Sequence, residues 1–256
     1  MTLILTYHAV EDGPAPLCVD PKLFAEHVAA IAASGAKTLI VSELAAALRA
    51  GSVPEHALVI TFDDGCASVV EHAAPVLREH GIRATVFCVA GRLGGANDWP
   101  TQAAWAPRLR LASAEALATL AGDGWEIGSH GVEHSPLATA GEAVARREVM
   151  QSQLELEQSI GTPVPSFAWP YGVRPSAAAT TLIAETYHAA CAGGLAVVCA
   201  GADPLALPRV DAHYLRNPAV LRRALRGSSD GYLALRRAGA RLRRTLRHDY
   251  AREAAD

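Results

Sequence analysis

The chain has 256 residues, 50% hydrophobic, 19% charged and 5% aromatic, with 21 Gly and 15 Pro. That profile excludes disordered, collagen-like and disulfide-scaffold chains, and it fits one α/β domain, or at most two small ones, with a sizeable core. The net charge of −3 conceals a split: residues 1–215 carry 12 Lys and Arg against 22 Asp and Glu, whereas 216–256 carry 11 against 4.

The opening MTLILTYH has no basic stretch and only a short apolar run before His8, the pattern of a chain without a secretory signal. No run approaches about 18 apolar residues, and the five cysteines are scattered without a Cys-x-x-Cys pair. A reduced, cytoplasmic protein is expected. Strands are predicted at Leu3–Tyr7, Thr38–Val41, Ala57–Phe62, Ala84–Val89, Trp125–Gly128, Ser166–Trp169, His188–Cys191 and Val197–Cys199. Helices are predicted between them at Pro21–Ser34, Ser42–Ala50, Ala67–His80, Ser113–Gly122, Gly141–Ile160 and Ser176–Glu185, with Ser42 and Ser113 as N-caps. This alternation implies parallel pairing through helical crossovers, in a (β/α) barrel or a doubly wound sheet.

In such folds the C-terminal strand ends build the site. The exit Thr61-Phe62-Asp63-Asp64-Gly65 sets two carboxylates side by side, an arrangement that a cation between them would relieve. The exit Trp125–His130 is followed four residues later by His134, and two imidazoles at that spacing can share one divalent ion. Asp plus two His gives three protein ligands with room for water, the pattern of a catalytic metal. The exit Phe167-Ala168-Trp169-Pro170-Tyr171-Gly172 brings aromatic faces suited to a sugar ring. The long loop 88–112, rich in Gly, Pro and Trp, is predicted to shape a substrate groove.

The motifs TFDDG, SHGVEHSPL and FAWPYG, in this order, resemble those of the polysaccharide deacetylases of the NodB-homology group, carbohydrate esterase family four. LTYHAV and the late LPRV resemble the branch that holds the poly-N-acetylglucosamine deacetylases. The resemblance covers roughly residues 1–215 and implies a distorted (β/α) barrel of about seven strands. It also implies a hydrolase that removes the N-acetyl group of an amino sugar or glycan, using one divalent ion, zinc or alternatively cobalt, nickel or iron(II). By position Asp63 is the general base, Asp64, His130 and His134 the metal ligands, and the Tyr171 N–H the oxyanion donor. The family's late Leu-x-His motif is not evident; the resemblance to the branch with an N-terminal Tyr-His, whose acid histidine comes from the first strand, implies His8 as the acid, with His213 as runner-up. Trp169 stands where many members have an arginine; Trp169 and Pro170 are expected to touch substrate, and Arg209 to occupy that space and orient Asp63. The alternatives are an amidohydrolase of a non-polymeric metabolite and a non-catalytic carbohydrate-binding relative.

The remainder, 216–256, reads as a basic helical extension. From Tyr232 to Tyr250 it sets Leu235, Leu242 and Leu246 on one helical face among arginines. That face is expected to dock on the barrel or to touch an anionic membrane surface peripherally, with no specific nucleic acid as partner.

Overall fold

The computed structural model describes residues 2–228 and 231–238. In chain order, β1 (Leu3–Tyr7) is followed by the short β2 (Ala9–Val10) and β3 (Cys18–Val19), then α1 (Pro21–Ala32), β4 (Lys37–Leu39), α2 (Val41–Arg49) and β5 (Ala57–Phe62). The order continues through α3 (Ala74–Glu79), β6 (Thr85–Cys88), α4 (Ala114–Gly122), β7 (Glu126–Ser129), α5 (Glu142–Arg146), α6 (Ser152–Ile160) and β8 (Ser166–Ala168). After these come α7 (Ala177–Thr186), β9 (Ala189–Cys191), β10 (Val210–Asp211) and α8 (Pro218–Leu225), with a further helical stretch over 231–238.

Seven strands follow the order β10-β1-β5-β6-β7-β8-β9, all parallel, and β4 pairs with the first half of β5. The sheet curls into a distorted half-barrel, and its ends approach where Leu207 bridges Cys191. Of the two architectures the alternation allowed, the barrel is the one formed.

Strand residues alternate between two apolar environments, which is why the strands read as continuous apolar runs. Leu3, Leu5, Leu58, Ile60, Val86, Ile127 and Phe167 face the surrounding helices. Ile4, Val59, Phe87, Ala168 and Cys191 face inward and meet Val41, Leu44 and Ala45 of α2. The first amides of α2 reach the starts of two strands: Val41 N–H donates to Thr85 Oγ1 at 3.1 Å, and Ser42 N–H to Glu126 Oε2 at 2.8 Å. Helix α2 therefore closes the N-terminal end of the barrel and leaves the C-terminal end open.

Several expectations change here. The strand at Thr38–Val41 ends at Leu39, because the chain must turn to place α2; Ile40, not Ser42, is its N-cap. The stretch 197–199 forms only a single antiparallel bridge, Val198 with Thr2, while Val210–Asp211 forms the strand that was missed. The helix expected over Gly141–Ile160 contains a π turn at Arg147–Gln151.

Beyond residue 215, Leu221, Ala224 and Leu233 join the outer core, so the described part of the extension packs on the domain. Leu235 does not dock: it is 72% exposed, and Leu233, at 1%, occupies the buried position. Residues 239–250 of the expected basic helix lie outside the described residues. No described helix is long and apolar enough to cross a membrane.

Candidate metal and catalytic site

The inward parity of the strands decides which exit residues meet. In β1 it passes from Ile4 and Thr6 to His8, in β5 from Val59 and Thr61 to Asp63, and in β7 from Glu126 and Gly128 to His130. These three side chains, with Asp64, His134, Trp169, Tyr171 and Arg209, line a cavity of about 550 Å³ at the open end, a size typical of small-molecule sites. Pro170 is buried but does not line it; its ring starts the tight turn that carries Tyr171. His213 is exposed and also lies outside it, because the short turn at Ala212–Leu215 carries it away from the opening.

Asp64, His130 and His134 offer one ligand atom each within 4.8 Å of one another, and all three are buried. The two Nε2 atoms face each other at 3.1 Å, and each lies 3.7 Å from Asp64 Oδ1. His130 Nδ1–H donates to the Ala168 carbonyl at 2.9 Å, which leaves its Nε2 as the lone-pair nitrogen. Burial, and then His130, push the His134 imidazole well below its ordinary value, so it stays neutral, the form a metal binds. Burial pushes the Asp64 carboxyl up against the pull of His8 and His130, and a cation beside it would favour the ionised form. The donor set therefore fits a divalent ion with nitrogen and oxygen ligands.

Backbone geometry at these exits is costly. Asp64, His134 and Tyr171 have φ of 67°, 56° and 59°, a left-handed region that side chains adopt only where surrounding contacts enforce it. At His134 the enforcing contacts are visible. Glu148, 1% exposed in the π turn before α6, accepts from the N–H groups of Val132, Glu133 and Ser135 at 3.0–3.3 Å. Gly131, at φ 89°, lets the carboxylate approach, since a Cβ there would sit 2.4 Å from Glu148 Oε2. The His134 ring is stacked on Trp99 and meets Tyr171 edge-on, both at 4.5 Å. Tyr171 is in turn held by its hydroxyl, which donates to Thr101 Oγ1 at 2.6 Å.

Asp63 is anchored differently. Arg209 grips both its oxygens, Nη1 to Oδ1 at 2.6 Å and Nη2 to Oδ2 at 2.8 Å, and Arg209 itself lies over the Phe87 ring. Burial works to raise the Asp63 carboxyl, but Arg209 and His130 together hold it well below the carboxylate range. Arg209 thus meets Asp63.

Two contributors escaped the sequence reading. Glu148 was hidden because a helix seemed continuous there. Asp211, on the missed strand β10, lines the cavity within electrostatic reach of His8, and its place two residues after Arg209 and two before His213 was the available signal. In the long loop, Trp99, Gln102 and Trp105 supply cavity wall, as its composition hinted.

The Bacillus subtilis (strain 168) protein YxkH is 30% identical over 135 residues, 52% of this chain and 43% of that protein. The poly-beta-1,6-N-acetyl-D-glucosamine N-deacetylase of Staphylococcus aureus (strain MSSA476) is 26% identical over 147 residues, 54% of this chain and 48% of that protein. The chain thus spans about half the length of the curated relatives it matches. The structure of Streptococcus pyogenes deacetylase PplD in complex with acetate superposes with a TM-score of 0.70 at 22% identity, over 82% of this chain and 91% of that one, which shows a shared fold. A model of the polysaccharide deacetylase family matches residues 50–189, more than half of the chain and the stretch that holds Asp63, Asp64, His130, His134 and Tyr171: the chain belongs to the polysaccharide deacetylase family.

Proposed function

We propose that this protein hydrolyses the N-acetyl amide of an amino sugar and releases acetate, in a reaction that needs one divalent metal ion. The observation that carries this reading is the convergence of Asp64, His130 and His134 beside an arginine-anchored carboxylate in one aromatic-walled cavity. One carboxylate and two imidazoles leave coordination positions open, as catalytic zinc sites do, and cobalt, nickel or iron(II) accept the same donors. A divalent ion held there supplies a Lewis acid for the amide carbonyl and an acidified water.

The remaining work falls to the chain. Arg209 favours the ionised form of Asp63 and fixes both its oxygens, so Asp63 takes a proton from water at a set position. A carboxylate held so low is a weak base, and the transfer demands a water made acidic, which ties Asp63 to the neighbouring ligands. His8, on the cavity wall with Nδ1 buried and unpartnered, is the group we assign to protonate the leaving amine. We assign the Tyr171 N–H to the oxyanion, a type of donor worth about 3 kcal/mol.

The name of the Staphylococcus aureus relative specifies poly-beta-1,6-N-acetyl-D-glucosamine, so oligomers of that sugar are the first substrates to try. Purified protein reconstituted with zinc should bind one ion and release acetate from them. A chain that takes up no zinc, cobalt, nickel or iron(II), or that releases no acetate from any N-acetyl sugar when loaded, ends this reading.

A further inference from the structure

The stretch 231–238 lies outside the residues matched by the family, yet it supplies part of the cavity wall. Leu233 and Arg237 are one helical turn apart and share a face. Leu233 is sunk in the outer core, and the Tyr232 hydroxyl donates to the Tyr214 carbonyl at 2.7 Å, so the stretch is held in place. The Arg237 guanidinium consequently ends at the cavity. Its Nη2 donates to the Leu195 carbonyl at 3.0 Å, its Nε is buried without a partner, and no carboxylate among the described residues pairs with it. Arg174, exposed just past the Tyr171 turn, lines the same cavity and likewise has no acidic partner among the described residues.

The acidic groups of the cavity do not offset these charges. Asp63 is engaged by Arg209, Asp64 faces the two imidazoles, and Asp211 lies within electrostatic reach of His8 and His213 and pairs with neither arginine. A purely structural Arg237 would explain the bond to Leu195 and nothing else. A buried guanidinium nitrogen without an acceptor is unfavourable until a ligand supplies one, and the planar fork matches phosphate or carboxylate oxygens.

We infer that the substrate is an N-acetylated amino sugar bearing an anionic substituent, a phosphate or a carboxylate, and that Arg237, with Arg174, selects it. This rests on the deacetylase reading for the sugar end and extends it to a specificity that the C-terminal stretch of this chain provides.

The full-length, zinc-loaded protein can be offered N-acetylglucosamine, its 1-phosphate and N-acetylmuramic acid, with acetate release and equilibrium binding both measured. One or both anionic sugars should bind and react at least about tenfold better than the neutral one, the scale of one charge-assisted contact, and added salt should shrink the difference. Arg237→Gln should remove most of that preference, and Arg237→Lys should keep part of it. Because the preference is a ratio within one variant, partial unfolding cannot imitate its loss. Equal binding of charged and neutral sugars by the unaltered protein overturns the inference. So does a preference that survives Arg237→Gln combined with Arg174→Gln. If no sugar yields acetate but the anionic preference in binding remains, the deacetylase reading fails and the anion site stands.

Discussion

Two carboxylates are buried to the same degree at opposite ends of the half-barrel, Glu126 at 5% exposure and Asp64 at 4%, yet their surroundings differ in kind. Glu126, at the closed end, accepts from Ser42 N–H at 2.8 Å and from Ser166 Oγ at 2.6 Å, and it cements α2 to the strands. Burial raises its carboxyl as it does that of Asp64. Asp64, at the open end, has instead the two imidazole Nε2 atoms at 3.7 Å. Burial alone therefore does not mark a site. A buried acid surrounded by donors is part of the scaffold, whereas one flanked by lone-pair nitrogens aimed at a common point is a ligand in waiting.

The sharpest way to break this contrast is to alter the open end. Asp63→Asn should lower kcat by about 10²–10⁴-fold while metal content, measured by elemental analysis, stays near one ion per chain; Asp64→Asn should lose both. Equal metal loss in the two variants would erase the distinction between base and ligand. Next in size is the pH response of Asp63. Arg209 does most to depress its carboxyl against burial, so Arg209→Met leaves burial opposed only by His130 and His8, the base holds its proton to higher pH, and the acid limb of the kcat/KM profile moves upward. For the same reason the Asp63–Arg209 pair stabilises the fold above the ordinary carboxylate pKa and loses that contribution as pH falls below it. Urea melts of the unaltered protein and of Arg209→Met, taken from pH 7 to pH 3, would show it as a narrowing gap.

Glu148→Ala should cost about 10–100-fold in metal affinity, the usual range for groups that hold a ligand in place, read by chelator competition. An unchanged affinity would mean that the loop around His134 keeps its shape without the carboxylate. At the closed end, Glu126→Gln should lower stability by about 1–3 kcal/mol and leave metal binding intact. His213→Ala should change stability by no more than about 0.5 kcal/mol and spare activity, whereas His8→Ala should slow turnover by about 10² or more.

Much of the site was legible because its residue types cluster at strand exits. Asp63, Asp64, His130 and His134 sit one or two residues beyond apolar runs, or follow from them by a fixed spacing. Glu148 and Asp211 were not legible in that way. Glu148 depends on a π turn inside a helical pattern, and a local sequence signal does not separate that turn from an ordinary helix. Asp211 rides on a two-residue strand, Val210–Asp211, too short to show any alternation. The docking of Leu233 in place of Leu235 is a third case, since a leucine on either helical face satisfies the same pattern and only the neighbouring surface chooses.

The sequence by itself determined the alternating α/β order, the open choice between barrel and doubly wound sheet, and the ligand types at the strand ends, because periodicity and spacing are properties of the chain. The tertiary structure decided which end is closed, that Arg209 holds Asp63 across 146 positions of sequence, and that Arg237 reaches the cavity from beyond the matched region. Those outcomes depend on the curl of the sheet and on what packs at its ends. Contacts of that range arise when strand register and helix docking bring distant segments together, and no local pattern encodes them.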